Sequence, residues 1–125
     1  RTSRGLGDVY KRQQQQWWLK PILEGAGDQI LFFGATALTA ITDNAALTYL
    51  GTLVELSESQ QYYLVAGAVA GGGLTVIANA PNPAGFGILK GAFGEDGISP
   101  IGLLKSALIP TIIALICLEL LPHLA

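Results

Sequence analysis

Asp43 and Asn44 stand near the middle of an apolar run from Ile30 to Leu56 whose only other charged residue is Glu55. Thirteen residues of the run precede Asp43 and twelve follow Asn44, so each flank would be about 18–20 Å long if helical. Two geometries fit this pattern. A single tilted helix would carry the pair near a membrane midplane, and a re-entrant hairpin would carry it at the tip of two half-length helices. In both, a carboxylate lies deep in a low-dielectric medium, where a charge costs at least about 2.5–3.5 kcal/mol. Such a group needs a partner or a task. Hydroxyls follow the same direction: Thr36, Thr39 and Asp43 are spaced i, i+3, i+7, and Asn44, Thr48 and Thr52 are spaced i, i+4, i+8. Each flank thus carries a polar stripe ending at the acidic pair, although any one threonine has the alternative of bonding the carbonyl four residues back.

A second constellation lies between Thr75 and Gly85, where Asn79, Pro81, Asn82 and Pro83 are clustered. The prolines remove two amide donors and disfavour helical geometry at Ala80 and Asn82, so a helix arriving from Tyr62 is expected to stop there. Ala84 to Phe93 is apolar again and could form a short second helix. Unwound backbone at membrane depth is tolerated where it is buried in protein or lines a watery cavity. Its freed carbonyls, joined by the amide oxygens of Asn79 and Asn82, are hard oxygen ligands suited to a small cation. A deep carboxylate without a cationic partner can exchange a proton for a metal ion near neutral pH, which is the physical minimum of a cation/proton exchanger. The candidate ion ligands are therefore Asp43, as the Na+ ligand, with Asn44, Asn79, Asn82, Thr39 and Thr48; Pro81, Pro83 and Gly85 are the candidate helix breakers. No enzymatic site competes, because His123 is the only histidine and Cys117 the only cysteine. The triple glycine at 71–73 has no following Gly-Lys-Ser/Thr. No cofactor is called for beyond Na+ and H+ as transported ions.

These residues must be positioned by membrane helices. Of 125 residues, half are hydrophobic and 13% charged, against roughly 25% charged in a soluble globular domain. Besides Ile30–Leu56, the apolar stretches are Tyr62–Ala80, which has no charge, and Ile101–Leu121, with Lys105 and Glu119 near its ends and Pro110 expected to kink it. Trp17 and Trp18, followed by Lys20 and Pro21, read as an interfacial anchor. Gly67 and Gly71, with Ala66 and Ala70, form a small-residue face that permits close helix contact. A net charge of -2 argues against nucleic acid as a partner. Residues 1–12 differ in kind: they hold four of the seven basic residues and one of the nine acidic ones. They lack the apolar core of a signal peptide and read as a non-native leader ahead of a transmembrane unit at 13–125.

The run from Ala37 to Leu47 (ALTAITDNAAL), followed by Gly72-Gly73 and by Ile77 to Gly85 (IANAPNPAG), resembles the carboxy-terminal half of the ion transporter superfamily. Within it, the similarity is greatest to bacterial Na+/H+ antiporters, with arsenite permeases and dicarboxylate carriers more distant, and it covers Trp17 to Pro122. The resemblance implies an all-α membrane protein that is half of an inverted-repeat transporter, with a re-entrant hairpin and a broken helix meeting at a midplane site, often in a homodimer. Asp43-Asn44 would be the hairpin tip and Asn79 to Gly85 the unwound part of the broken helix. Ala45 and Ala46 stand where related antiporters often carry a proline, so the continuous helix stays open. The implied function is secondary active sodium/proton exchange across a bacterial inner membrane by a multi-pass carrier. The lipid bilayer and the missing amino-terminal repeat of the same parent chain would be this fragment's partners. The alternatives are an anion permease for arsenite or a dicarboxylate, and a non-transporting membrane assembly subunit whose glycine face packs a partner.

Overall fold

The computed structural model describes residues 21–93 and 98–124, and every regular element among them is helical. The leader at 1–12, the tryptophan anchor and the turn at 94–97 lie outside the described residues. Residues 21–25 are helical and precede α1 (Asp28–Ile41), α2 (Asn44–Gly51), α3 (Glu58–Gly71), α4 (Asn82–Leu89) and α5 (Pro100–Leu120). Short 3-10 turns follow α4 at Lys90–Phe93 and α5 at Leu121–His123.

The long apolar stretches do not each form one helix. Ile30–Leu56 is divided at Thr42 and Asp43, both extended (φ/ψ of -133°/177° and -82°/133°). A continuous helix through Asp43 is therefore not what this sequence adopts. Asp is a strong N-cap former because its side chain competes for nearby amides, and here the Asp43 carboxylate accepts the Ala45 amide at 3.2 Å. At the end of α1 the Thr42 hydroxyl instead donates back to Leu38 O at 2.8 Å. Among the described residues only α5 with its 3-10 extension, Pro100–His123, is long and apolar enough to cross a membrane. It continues through Pro110 and is about 31 Å long over its 21 α-helical residues.

The helices pack in a definite direction. α3 opens with a capping box, the Ser57 hydroxyl accepting the Gln60 amide at 3.2 Å while Gln60 Oε1 accepts the Ser57 amide at 3.0 Å. The same first turn is tied to the start of α1: the Ser59 hydroxyl donates to the Asp28 carboxylate, and Gln60 Nε2 to Ala26 O at 3.1 Å. Further along, the Thr36 hydroxyl donates to Gly67 O at 3.1 Å. Start meets start and end meets end, so α1 and α3 are parallel neighbours. α2 turns back along α3, from Asn44 beside Gly72 to Gly51 against Leu64. α5 runs opposite to α1 and α3, since near its end Leu118 O accepts the Tyr62 hydroxyl at 2.7 Å and Glu119 accepts Gln29 Nε2.

The core sits between α1, α2 and α3 around Phe32, which is fully buried and meets Tyr63 edge-on at 5.7 Å. Small residues make the α1–α3 approach possible. A Cβ on Gly67 would run into Phe32 O, and one on Gly71 would lie 2.5 Å from Thr36 O. On α5 only Thr111 is buried, while Ile109 and Ile113 are 68% and 57% exposed. Leu115 and Leu118 pack against the core, while most of the other large apolar side chains of α5 face outward.

Gly67→Ala is expected to destabilise the fold by about 1–3 kcal/mol through overpacking, read as a lower midpoint of thermal unfolding in detergent. Gly34, inside α1 with open space where a Cβ would go, gives the opposite expectation: Gly34→Ala raises the midpoint or leaves it unchanged. Equal responses at the two positions would contradict the close α1–α3 crossing.

Candidate functional site

The division of α1 from α2 and the connection between α3 and α4 lie against each other. α3 stops at Gly71, and residues 72–81 run without an α-helix until Asn82 begins α4. The expected unwound segment, Asn79 to Gly85, is thereby corrected: the non-helical backbone begins ten residues after Tyr62 at the glycines and ends at Pro81. Pro83 and Gly85 lie inside α4. Proline is tolerated in the first turn, where no amide donor is needed, so Pro81 at the N-cap and Pro83 just after it start a helix rather than unwinding one. The glycines at 71–73 are where the helix from Tyr62 gives out, in keeping with their low helix propensity.

Backbone and side-chain hydrogen bonds join the two non-helical segments. The Asn44 amide donates to Ala78 O at 3.1 Å, and the Thr75 hydroxyl donates to Ala40 O at 2.7 Å. The Asn44 carboxamide rests against Gly72, its Nδ2 3.2 Å from where a Cβ there would be. Asn82 Nδ2 donates to both Gly72 O and Thr75 O at 2.9 Å. Of the three asparagines singled out in the sequence, Asn44 follows Asp43 and meets Gly72 and Ala78, Asn82 bonds Gly72 and Thr75 of the same segment, and Asn79 adjoins Ala78 in the chain. With both Nδ2 protons engaged, Asn82 offers only its Oδ1 as a ligand. Asn79 O accepts the Asn82 amide at 3.0 Å.

Asp43 is half-buried. One carboxylate oxygen caps α2, and among the described residues the other takes no hydrogen bond and no ion pair forms with Lys90 or Lys105, both of which are exposed. Thr39 is fully buried at the α1–α3 crossing, beside Gly71, and its hydroxyl has no hydrogen-bond partner among the described residues. Thr48 donates to Asn44 O at 2.9 Å and Ala45 O at 3.2 Å within its own helix, so its lone pairs alone remain for a ligand. Thr36 and Thr52 likewise bond backbone carbonyls. The two non-helical segments bring backbone carbonyls and asparagine side chains together next to the helix break that Asp43 caps, and among the described residues no ion pair is formed there.

A model of the family described as "Putative Na+/H+ antiporter" matches residues 6–121. The chain belongs to this family. No curated protein and no solved structure matches it. For an antiporter-family chain, the polar contacts found here extend beyond those legible in sequence. Thr75, Gly72 and the carbonyls of Ala40 and Ala78 were not singled out as site residues. The available signal is positional: Thr75 stands two residues after the triple glycine, as the one hydroxyl between Leu74 and Val76-Ile77.

The N-cap geometry separates the structural task of Asp43 from its charge. Asp43→Ala is expected to lower unfolding stability by about 1 kcal/mol, whereas Asp43→Asn, an equally good cap, stays within a few tenths. Denaturant unfolding of both variants in detergent checks this. Equal losses would show that capping does not order the break.

Proposed function

We propose that the chain is part of a larger multi-pass carrier of a bacterial inner membrane that exchanges sodium for protons, with Asp43 as the exchangeable group. The observation that carries this reading is the position of Asp43. It is the only charged residue between Asp28 and Glu55, and it stands at a helix break, one oxygen accepting the Ala45 amide and the other without a hydrogen bond among the described residues. Family membership supports cation/proton exchange in general.

In this reading Na+ binds the open carboxylate oxygen, with neutral oxygens of Asn44, Asn79, Asn82, Thr39 and Thr48 replacing parts of its hydration shell. A proton taking its place neutralises the same carboxylate, so one group carries either ion and never both. That mutual exclusion couples the two fluxes. The outward apolar residues of α5 support a bilayer as the surrounding solvent, and the remaining repeat of the carrier would complete the site.

Two features weigh against the alternatives. An anion permease would use helix N-termini as donors. Here the α2 terminus is occupied by Asp43, and at α4 Pro83 has no amide while the Asn82 amide donates to Asn79 O. An assembly subunit would present its glycine face to a partner, yet Gly67 and Gly71 pack against α1 of the same chain.

In vesicles carrying the full-length carrier, sodium-dependent proton flux is expected to fall to background in Asp43→Asn while the protein stays folded. Arsenite and dicarboxylate flux is expected to be absent in the parent. Exchange that survives Asp43→Asn would remove Asp43 from the mechanism, and anion flux would favour the permease.

A further inference from the structure

In an uninterrupted helix the carbonyl of Ala40 would accept the amide of Asn44, four residues on. Here both groups are diverted to the same short turn. Ala40 O accepts the Thr75 hydroxyl at 2.7 Å, and the Asn44 amide donates to Ala78 O at 3.1 Å. The turn is closed on itself by Ala78 N–H to Thr75 O at 3.4 Å. Asn82 holds it from the other side through its bonds to Gly72 O and Thr75 O. Ala78 is fully buried and Thr75 half-buried. The turn at 75–78 therefore supplies one donor and one acceptor to the gap between α1 and α2, in place of the Ala40–Asn44 bond, one of the helical bonds absent there.

We propose that Thr75 is a positioning residue of the cation site: its hydroxyl docks the 75–78 turn into the break between α1 and α2 and thereby keeps Asp43 at the N-cap of α2. Of the two bonds, the one to Ala40 depends on a side chain. The Asn44–Ala78 bond is between backbone groups and persists only while the turn is docked. Without the hydroxyl, Ala40 O loses its donor, and the turn competes less well against re-formation of the Ala40–Asn44 helical bond. Closure of that bond would draw Asp43 into a helical turn and withdraw its carboxylate from the cap position. The position needs a donor of short reach, which serine supplies and valine and alanine do not.

The inference rests on Asp43 carrying exchange, and two measurements separate it from that reading. Docking is read by thiol modification of Ala78→Cys in a Cys117→Ser background of the full-length carrier, because residue 78 is inaccessible while the turn is docked. Thr75→Val and Thr75→Ala are expected to raise the modification rate at least about tenfold, and Thr75→Ser to leave it within twofold. With Ala78 native, the same donor-less variants are expected to raise the half-saturating sodium concentration for proton flux by about tenfold, with the maximal rate within twofold, and serine again restores the parent value. An unchanged modification rate in both donor-less variants overturns the proposal, whatever the flux does. Faster modification with an unaltered sodium dependence overturns the positioning role and leaves Thr75 a structural contact only. Exchange that survives Asp43→Asn removes Asp43 from the mechanism and overturns the positioning role with it, and is distinguishable because the modification rate does not depend on transport.

Discussion

A helix interrupted among apolar groups leaves amides and carbonyls that no solvent reaches, and each such group left unmatched costs on the order of 1–3 kcal/mol. The break at Thr42-Asp43 and the non-helical segment at 72–81 answer this constraint jointly. Local bonds satisfy part of it, with the Thr42 amide returning to Leu38 O and Thr39 O, and the Asp43 carboxylate taking the Ala45 amide. The remainder comes from the other segment, through Thr75 to Ala40 and Asn44 to Ala78. Neither interruption is self-sufficient. A displacement of one would unmatch groups in the other, so the two behave as a single unit linking four helices.

That unit can form only if α1 and α3 approach closely and in register. The register is set by small residues: Thr36 bonds Gly67 O, Thr39 rests on Gly71, and the next step along the pair of helices brings Ala40 to Thr75. Parallel packing from the capping box of α3 onward means that the ends of α1 and α3 arrive at the same level. Both helices stop there, one at Ile41 and one at Gly71. The Thr39 hydroxyl, enclosed at this level without a partner among the described residues, is a polar group placed where packing alone would favour valine. Thr39 stands one turn before the break, and its hydroxyl contributes no hydrogen bond to the crossing among the described residues.

The residues of the site were easier to read than the geometry that joins them. A lone carboxylate in a long apolar run identifies itself by its desolvation cost, and paired Asn-Pro steps announce an interruption of helix. The positions of the interruptions were harder to read. At Asp43 no proline marks the break, and the signal is simpler: Asp ahead of Asn44-Ala45-Ala46-Leu47 is a favourable N-cap in its own right. At 81–83 the reverse error arose: prolines that exclude a helix interior are well suited to a helix start, so α4 begins at Asn82 and the unwound segment belongs to the glycines upstream. The bonds from Thr75 and Asn44 connect residues more than thirty apart in sequence. Periodicity along one helix carries no information about such contacts, and they became legible only once α1 and α3 were seen side by side.

The same cap geometry bears on how Asp43 persists without a cationic neighbour. An isolated carboxylate in an apolar interior would be strongly disfavoured, and among the described residues no ion pair relieves it. The positive end of α2, whose unsatisfied amides amount to roughly half an elementary charge in a full helix, lies directly against the carboxylate, although eight residues provide only a short dipole. This partial charge lowers the cost of the anion without neutralising it. A lysine or arginine in the same place would neutralise it permanently and leave no affinity for a small cation. In the proposed exchange, stabilisation by a helix end would hold the group in place between ions without the permanent neutralisation that a fixed cation brings. An exchanger that must release each ion to take up the other requires that intermediate strength.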